Sequence, residues 1–179
     1  MVKIILNHLK KKNKLIRITI RPALPGEHTQ LSDIMFAAKF YWDYPEELKL
    51  LWRKELTITP EMLQEQDFFV AEVGSALAGF YSTVENKEDY YVGELFHPQG
   101  LWLENMFVHP DWIGQGFGHR LMQHLLKRCR EAGIPKICFY ADPHATGFYE
   151  RYGGRFIGAY PSSVPGRNLP LYELKISAL

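Results

Sequence analysis

The stretch WIGQGFGHRLM, residues 112–122, places Gly114, Gly116 and Gly118 directly ahead of a segment whose apolar residues recur at helical spacing. Glycine lets the main chain come close to a ligand and aim several N–H groups at it. A helix start adds partial positive charge at the same place, so the combination suits a pyrophosphate without any lysine. Three glycines can also serve turn geometry alone, but the setting favours phosphate binding. GLWLENMFV, residues 100–108, reads as a strand before the cluster. Leu121, Met122, Leu125, Leu126 and Cys129 form one stripe of a helix over 116–132 after it, closed by Gly133 and Pro135. The spacing is GxGxG, not GxGxxG, which disfavours a dinucleotide. His119 and Arg120 stand where a P-loop needs lysine followed by serine or threonine, which disfavours a nucleoside triphosphate.

Upstream, LIRITIRPAL (15–24) alternates in period two and reads as an opening strand ending at Pro22. Leu31, Ile34, Met35 and Ala38 give a helix over 26–39 one buried face. FYWDYP breaks that helix at Pro45, and a short helix over 46–54 follows. Thr59 with Pro60 and Glu61 marks the N-cap of a further helix reaching about Gln66. DFFVAEVGSALAGFYSTVE is two strands joined around Gly74 and Ser75, so the sheet is antiparallel there. Residues 86–99, polar and aromatic without clear period, are expected to be irregular with at most a short strand. Downstream come the strand KICFYA, a helix in DPHATGFYERYG opened by Asp142 and Pro143, and the strands GRFIGAY and LPLYELKI. The order predicts an α/β fold with a mixed sheet flanked by helices.

The chain has 179 residues, 46% of them hydrophobic, enough for one well-filled core, and 21 basic against 20 acidic side chains. That balance gives no global field for nucleic acid or an anionic membrane, and neither is expected as a partner. The start, residues 1–14, is read as a basic, solvated N-terminal extension, and its three-residue apolar run is too short for a signal peptide. Cys129 and Cys138 cannot form a disulfide framework and are read as buried, reduced thiols of a cytoplasmic protein. His97, His109 and His144 lack the paired spacing of a metal site, so no metal is expected.

VHPDWIGQGFGHRLM (108–122) followed by DPHATGFYERYG (142–153) resembles the acetyl-CoA-binding core of the GCN5-related N-acetyltransferases. The motif likeness covers residues 103–156, and the element order extends it over 15–176. The resemblance implies one N-acetyltransferase domain over 15–179, with a mixed, mostly antiparallel central sheet of about seven strands whose central pair splays. It implies an acetyl group moved from acetyl-CoA to a primary amine, small molecule or peptide, by direct attack in a ternary complex. A non-catalytic acyl-CoA-binding sensor or interaction module is the other reading. A homodimer is left open.

In such a protein the cofactor-binding positions are Met106, Phe107, Val108, Ile113, Gly114, Gln115, Gly116, Phe117, Gly118, His119, Asp142, Ala145, Phe148 and Tyr149. Two depart from the family's pattern: Ile113 replaces an arginine or glutamine, and Asp142 an asparagine. The resemblance also implies that the pantetheine arm pairs like an added strand near Met106 and Val108, and that an N–H of that strand polarises the thioester carbonyl. Tyr149 falls where the family's tyrosine faces the cofactor sulfur and assists the departing thiolate. Alternatively FYERY is a packing face, with Phe148 in the core and Tyr152 at the surface. Glu104, four residues before Val108, is the candidate general base, against an ordinary outward glutamate. Trp42 and Tyr44 are candidates for the acceptor pocket, against simple packing of the first helix, and Ser163 and Arg167 lie in the other loop expected near the acceptor.

Overall fold

The computed structural model of the chain describes residues 18–162, 164 and 166–177, and of 50, 51, 54 and 55 the backbone alone. The basic extension 1–14 and Ser163 lie outside the described residues. In chain order the elements are β1 (Ile18–Pro22), α1 (His28–Phe40), α2 (Glu46–Glu55), α3 (Pro60–Glu65), β2 (Asp67–Val73), β3 (Ala76–Asn86), β4 (Tyr90–Val92) and β5 (Leu95–His97). They continue with β6 (Gly100–Val108), α4 (Phe117–Glu131), β7 (Lys136–Tyr140), α5 (Thr146–Glu150), β8 (Arg155–Pro161) and β9 (Asn168–Lys175). Seven strands form one sheet in the order β1-β2-β3-β6-β7-β9-β8, while β4 and β5 make a separate antiparallel ribbon. β6 and β7 pair in parallel; β1 with β2, β7 with β9 and β8 with β9 pair antiparallel. The sheet is mixed, as the element order predicts, and mostly antiparallel, as the family resemblance implies.

Two of the expected elements differ in detail. The first helix opens as a 3-10 turn at Pro25–Glu27, and regular helix starts only at His28. The Glu27 carboxylate accepts from Leu24 N at 2.7 Å and from the Arg21 guanidinium, tightening the entry. Residues 86–99 are not irregular: Tyr90–Val92 and Leu95–His97 form a ladder across a turn with Gly93.

The described residues divide into two compact units, 18–82 with 105–122 and 83–104 with 123–177, so β3, β6 and α4 each run from one into the other. In the first, Leu31, Ile34 and Met35 of α1 pack with Ile58, Phe68, Val70 and Phe80. Ser32 of α1 accepts a hydrogen bond from Ile58 N at 2.9 Å, tying the helix to the segment before α3. At Thr59 the expected cap forms, its Oγ1 accepting from Met62 N at 3.3 Å. β3 and β6 run unusually close: a Cβ at Gly79 would stand 2.5 Å from the Phe107 carbonyl oxygen.

In the second unit Trp102, Cys138 and Leu171 form a cluster with Val84, Phe96, Tyr140 and Tyr160 against it. Leu125 and Cys129 of α4 are buried, whereas Leu126 of the expected stripe is half-buried. Burial pushes the Cys129 thiol up to about 11, and raises the Cys138 thiol too. Glu173 of β9 accepts from Lys136 of β7 at 3.0 Å and from Arg155 of β8 at 3.1 Å, joining three neighbouring strands. The parallel ladder of β6 with β7 joins Leu101 to Ile137 and Trp102 to Cys138. Leu103 and Glu104 have no ladder pairing with Phe139 and Tyr140 among the described residues.

Candidate active site

Main-chain bonds shape the segment from His109 to Phe117. His109 N bonds Ala78 O at 2.9 Å, and a 3-10 turn follows at Pro110–Trp112, capped by His109 Nδ1 accepting from Asp111 N at 3.2 Å. Trp112 and Phe117 are both buried, with rings edge to face at 5.1 Å, and they anchor the two ends of the loop. Between them Gly114 and Gly116 take φ of 76° and 84°, the left-handed region that costs other residues about 1–2 kcal/mol. A Cβ at either position would meet nothing within 4 Å. Backbone conformation, not crowding, therefore calls for glycine here, and the space beside the loop is open.

The first helical bond of α4 runs from Arg120 N to Gly116 O at 3.1 Å. The N–H groups of Phe117 and Gly118 precede it and have no acceptor one turn back in the helix. Donors at the positive end of a 15-residue helix, beside an open glycine loop, fit a diphosphate. Gln115 gives its side chain to Asp111 O at 2.7 Å, Ile113 is 41% exposed, and their amides turn back onto Trp112 O at 3.3 Å and Pro110 O at 3.2 Å, so the loop's donors toward a ligand are the amides of Gly114, Gly116, Phe117 and Gly118.

Tyr149 is fixed from behind. Its carbonyl accepts from both Tyr152 N and Gly154 N at 3.0 Å, ending α5. A Cβ at Gly154 would stand 2.9 Å from that same oxygen, so glycine is needed for the approach. Its ring, 7% exposed, packs on Phe139 at 4.3 Å and on Phe148 at 5.2 Å. The packing alternative placed Phe148 in the core, but Phe148 is half-buried and Tyr149 is the buried residue. Burial, and secondarily the charge of Asp142, hold the Tyr149 phenol well above its ordinary range, so it stays protonated at neutral pH. Asp142 caps the turn at Pro143–Ala145, its Oδ1 accepting from His144 N at 3.0 Å, and Oδ2 pairs with Arg167 at 3.4 Å. That pairing gives the departure from asparagine a local structural use.

Glu104 is accessible to solvent, yet surrounding protein displaces enough water to push its carboxyl above the ordinary carboxylate range, a shift partly offset by a hydrogen bond from Trp102. Both conditions hold for a carboxylate in an open recess. Asn105, next along β6, turns the other way and donates to Ser82 Oγ at 2.9 Å.

Trp42 is 36% exposed and stands edge-on to Tyr41 at 5.3 Å. Tyr44 packs edge-on against buried Trp52 at 5.0 Å, and the Lys39 ammonium lies over both rings at 5.2 Å and 4.8 Å. Tyr44 thus fastens the end of α1 to α2, and only Trp42 of the pair presents substantial surface. Reading for chemistry passed over Tyr90 and weighed His97 only as a metal ligand; the ribbon stacks Tyr90 on His97 and sets His97 against Trp102, two residues before Glu104. The density of aromatic residues in 90–102 was the available signal.

The model of the Acetyltransferase (GNAT) family matches residues 30–154. The chain belongs to that family. It is 39% identical over 53 residues to an uncharacterized N-acetyltransferase, ycf52, of Gracilaria tenuistipitata var. liui, a stretch covering 30% of this chain and only 28% of that relative's length. It is 25% identical over 134 residues to the peptidyl-lysine N-acetyltransferase YjaB of Salmonella typhimurium, covering 72% of this chain and 89% of that protein. In fold it is similar to the PaiA N-acetyltransferase of Thermoplasma acidophilum, solved in complex with coenzyme A, with a TM-score of 0.67 at 18% identity over 89% of this chain and 99% of that one. No helix among the described residues is long and apolar enough to cross a membrane.

Proposed function

We propose that the protein transfers an acetyl group from acetyl-CoA to a primary amine by direct attack in a ternary complex. The left-handed bends at Gly114 and Gly116, directly ahead of α4, carry this reading, because they present main-chain donors to a diphosphate with no side chain in the way. Gly114, Gln115, Gly116, Phe117, Gly118 and His119 would hold the diphosphate, and Ile113 would contribute contact area only. The main chain at Met106, Phe107 and Val108 would pair with the pantetheine arm and polarise the thioester. Asp142, Ala145 and Phe148 would line the donor site beside Tyr149.

Bound acetyl-CoA supplies an electrophilic thioester carbon and a thiolate leaving group. Glu104 takes one proton from the ammonium of the acceptor, freeing the nitrogen lone pair. As the C–N bond forms and the C–S bond breaks, the Tyr149 hydroxyl gives its proton to the thiolate. It regains one from the new amide nitrogen, so one proton is released in all. The raised pKa of Tyr149 favours this role, since the phenol stays protonated until the thiolate develops. Trp42 would border the acceptor. The reduced thiols of Cys129 and Cys138 suit a cytoplasmic setting.

The test is release of free CoA from acetyl-CoA by purified protein with a panel of primary amines. Acceptor-dependent release is expected. Calorimetric binding of acetyl-CoA with no release by any amine would instead identify a binding module.

A further inference from the structure

The ribbon of β4 and β5 delivers an aromatic assembly to the neighbourhood of Glu104. The Tyr90 ring stacks on His97 at 4.8 Å with an interplanar angle of 13°. His97 in turn lies 4.7 Å from Trp102 and edge-on to Tyr140 at 5.7 Å, and the Tyr140 hydroxyl donates to Phe96 O at 2.8 Å, pinning the ribbon down. His97 is 9% exposed and its Nδ1 is buried without a hydrogen-bond partner. Burial lowers the imidazole's pKa, so the ring is neutral and does not repel a cation. Trp102 is buried and donates to the Glu104 carboxylate. Tyr90 is 38% exposed as a residue and Glu104 is exposed, so these two groups of the assembly are open to a solute.

We propose that this assembly is the acceptor site and that it selects a primary alkylammonium group, which lies against the Tyr90 ring face and pairs with Glu104. The inference rests on the transferase reading, whose acceptor it names. Three features favour a cation. Glu104 has no lysine or arginine paired with it among the described residues, so no internal cation competes for it, and an incoming ammonium would offset the burial that disfavours its charged form. An aromatic face attracts an ammonium, more strongly where water is displaced. Tyr90 reaches Trp102 through His97, and Trp102 and Glu104, two apart on β6, share a face of that strand; burial first, and then the Glu104 charge, raise the Tyr90 phenol, in keeping with that placement. An arylamine, uncharged at neutral pH, gains neither attraction.

Calorimetric titration of 1,4-diaminobutane into the CoA-loaded protein tests this without turnover. Tyr90→Leu should weaken diamine binding about fivefold or more, and Tyr90→Phe, which keeps the ring, about twofold at most. CoA affinity should be the same in all three proteins. Unchanged diamine affinity in Tyr90→Leu, or no binding to the wild type, would overturn the proposal. Should Tyr90→Leu fail to fold, Glu104→Gln in the same titration carries the test, and undiminished affinity overturns it. An acetylation assay alongside separates the two readings. A diamine that binds Tyr90-dependently but is never acetylated counts against the transferase reading alone; acetylation with binding indifferent to Tyr90 counts against this site alone.

Discussion

The amide of Gly154 lies 3.0 Å from the carbonyl oxygen of Tyr149, and a methyl group on Gly154 would intrude to 2.9 Å from that oxygen. The main chain behind the candidate acid is thus held by a contact that tolerates no side chain. Gly154→Ala should cost about 1–3 kcal/mol of stability, as overpacking does. It should also lower turnover beyond what the remaining folded fraction explains. Denaturant melts and kcat on the same preparation check this; a destabilised variant with wild-type kcat per folded molecule would separate Gly154 from Tyr149 function.

Tyr149→Phe removes the hydroxyl and leaves the packing on Phe139 and Phe148 in place. Turnover should fall about 10²-fold or more, the range of general acid catalysis, while acetyl-CoA affinity stays within about twofold. Steady-state kinetics with calorimetry give both quantities.

Glu104 links activity to pH and opposes stability. As the proposed base Glu104 acts in its ionised form, so kcat/KM should decline as pH falls through a pKa above the usual carboxylate value of about 4.3. Stability runs in the other direction. With the folded pKa raised, the folded state holds the proton more tightly; the stabilising contribution is full below the unfolded pKa and lost as pH rises through the folded one. Glu104→Gln should therefore lose about 10²-fold or more in kcat/KM, yet melt above the wild type near pH 8 and with it near pH 4. A lower melting temperature than wild type near pH 8 would contradict the assigned environment.

Gly116→Ala forces a side chain to φ of 84° with no clash, so about 1–2 kcal/mol of strain must be borne or the loop must re-form. The KM for acetyl-CoA should rise several-fold. Gly116→Asn, better tolerated in that region, should do less harm. Equal KM values for wild type and Gly116→Ala would remove the loop from the donor site.

Glu173 is 8% exposed, and its bonds to Lys136 and Arg155 hold its carboxyl below the ordinary range. A lowered folded pKa adds stability above the unfolded value, and that stability is lost as pH falls through the folded one. Lys136 and Arg155 are themselves open to water and can resolvate. Glu173→Gln should thus cost only about 1 kcal/mol near pH 7 and nothing below the folded pKa, which melts across acid pH will show.

The parts legible in the residues are those governed by local chemistry. The cap at Thr59, the glycine loop ahead of α4 and the stripe of Leu121, Met122, Leu125 and Cys129 follow from hydrogen-bonding capacity and helical period. The β4–β5 ribbon was not legible, because Tyr90, Tyr91 and Val92 are all exposed and no inward–outward alternation is written into them. The two readings of FYERY, with Tyr149 or Phe148 turned inward, could not be separated from the residues alone for a related reason. In a helix of five residues the period barely completes a turn, and packing on Phe139 of β7 decides which ring goes inward.

At Gly79 the Phe107 carbonyl fills the volume that any β-carbon would need. Saturation mutagenesis at that codon, with growth or fluorescence of a fusion as selection, should return hydrogen as the sole acceptable substituent. A deep mutational scan would thereby locate the strand proposed to meet the thioester from its neighbour's intolerance, with no coenzyme in the experiment.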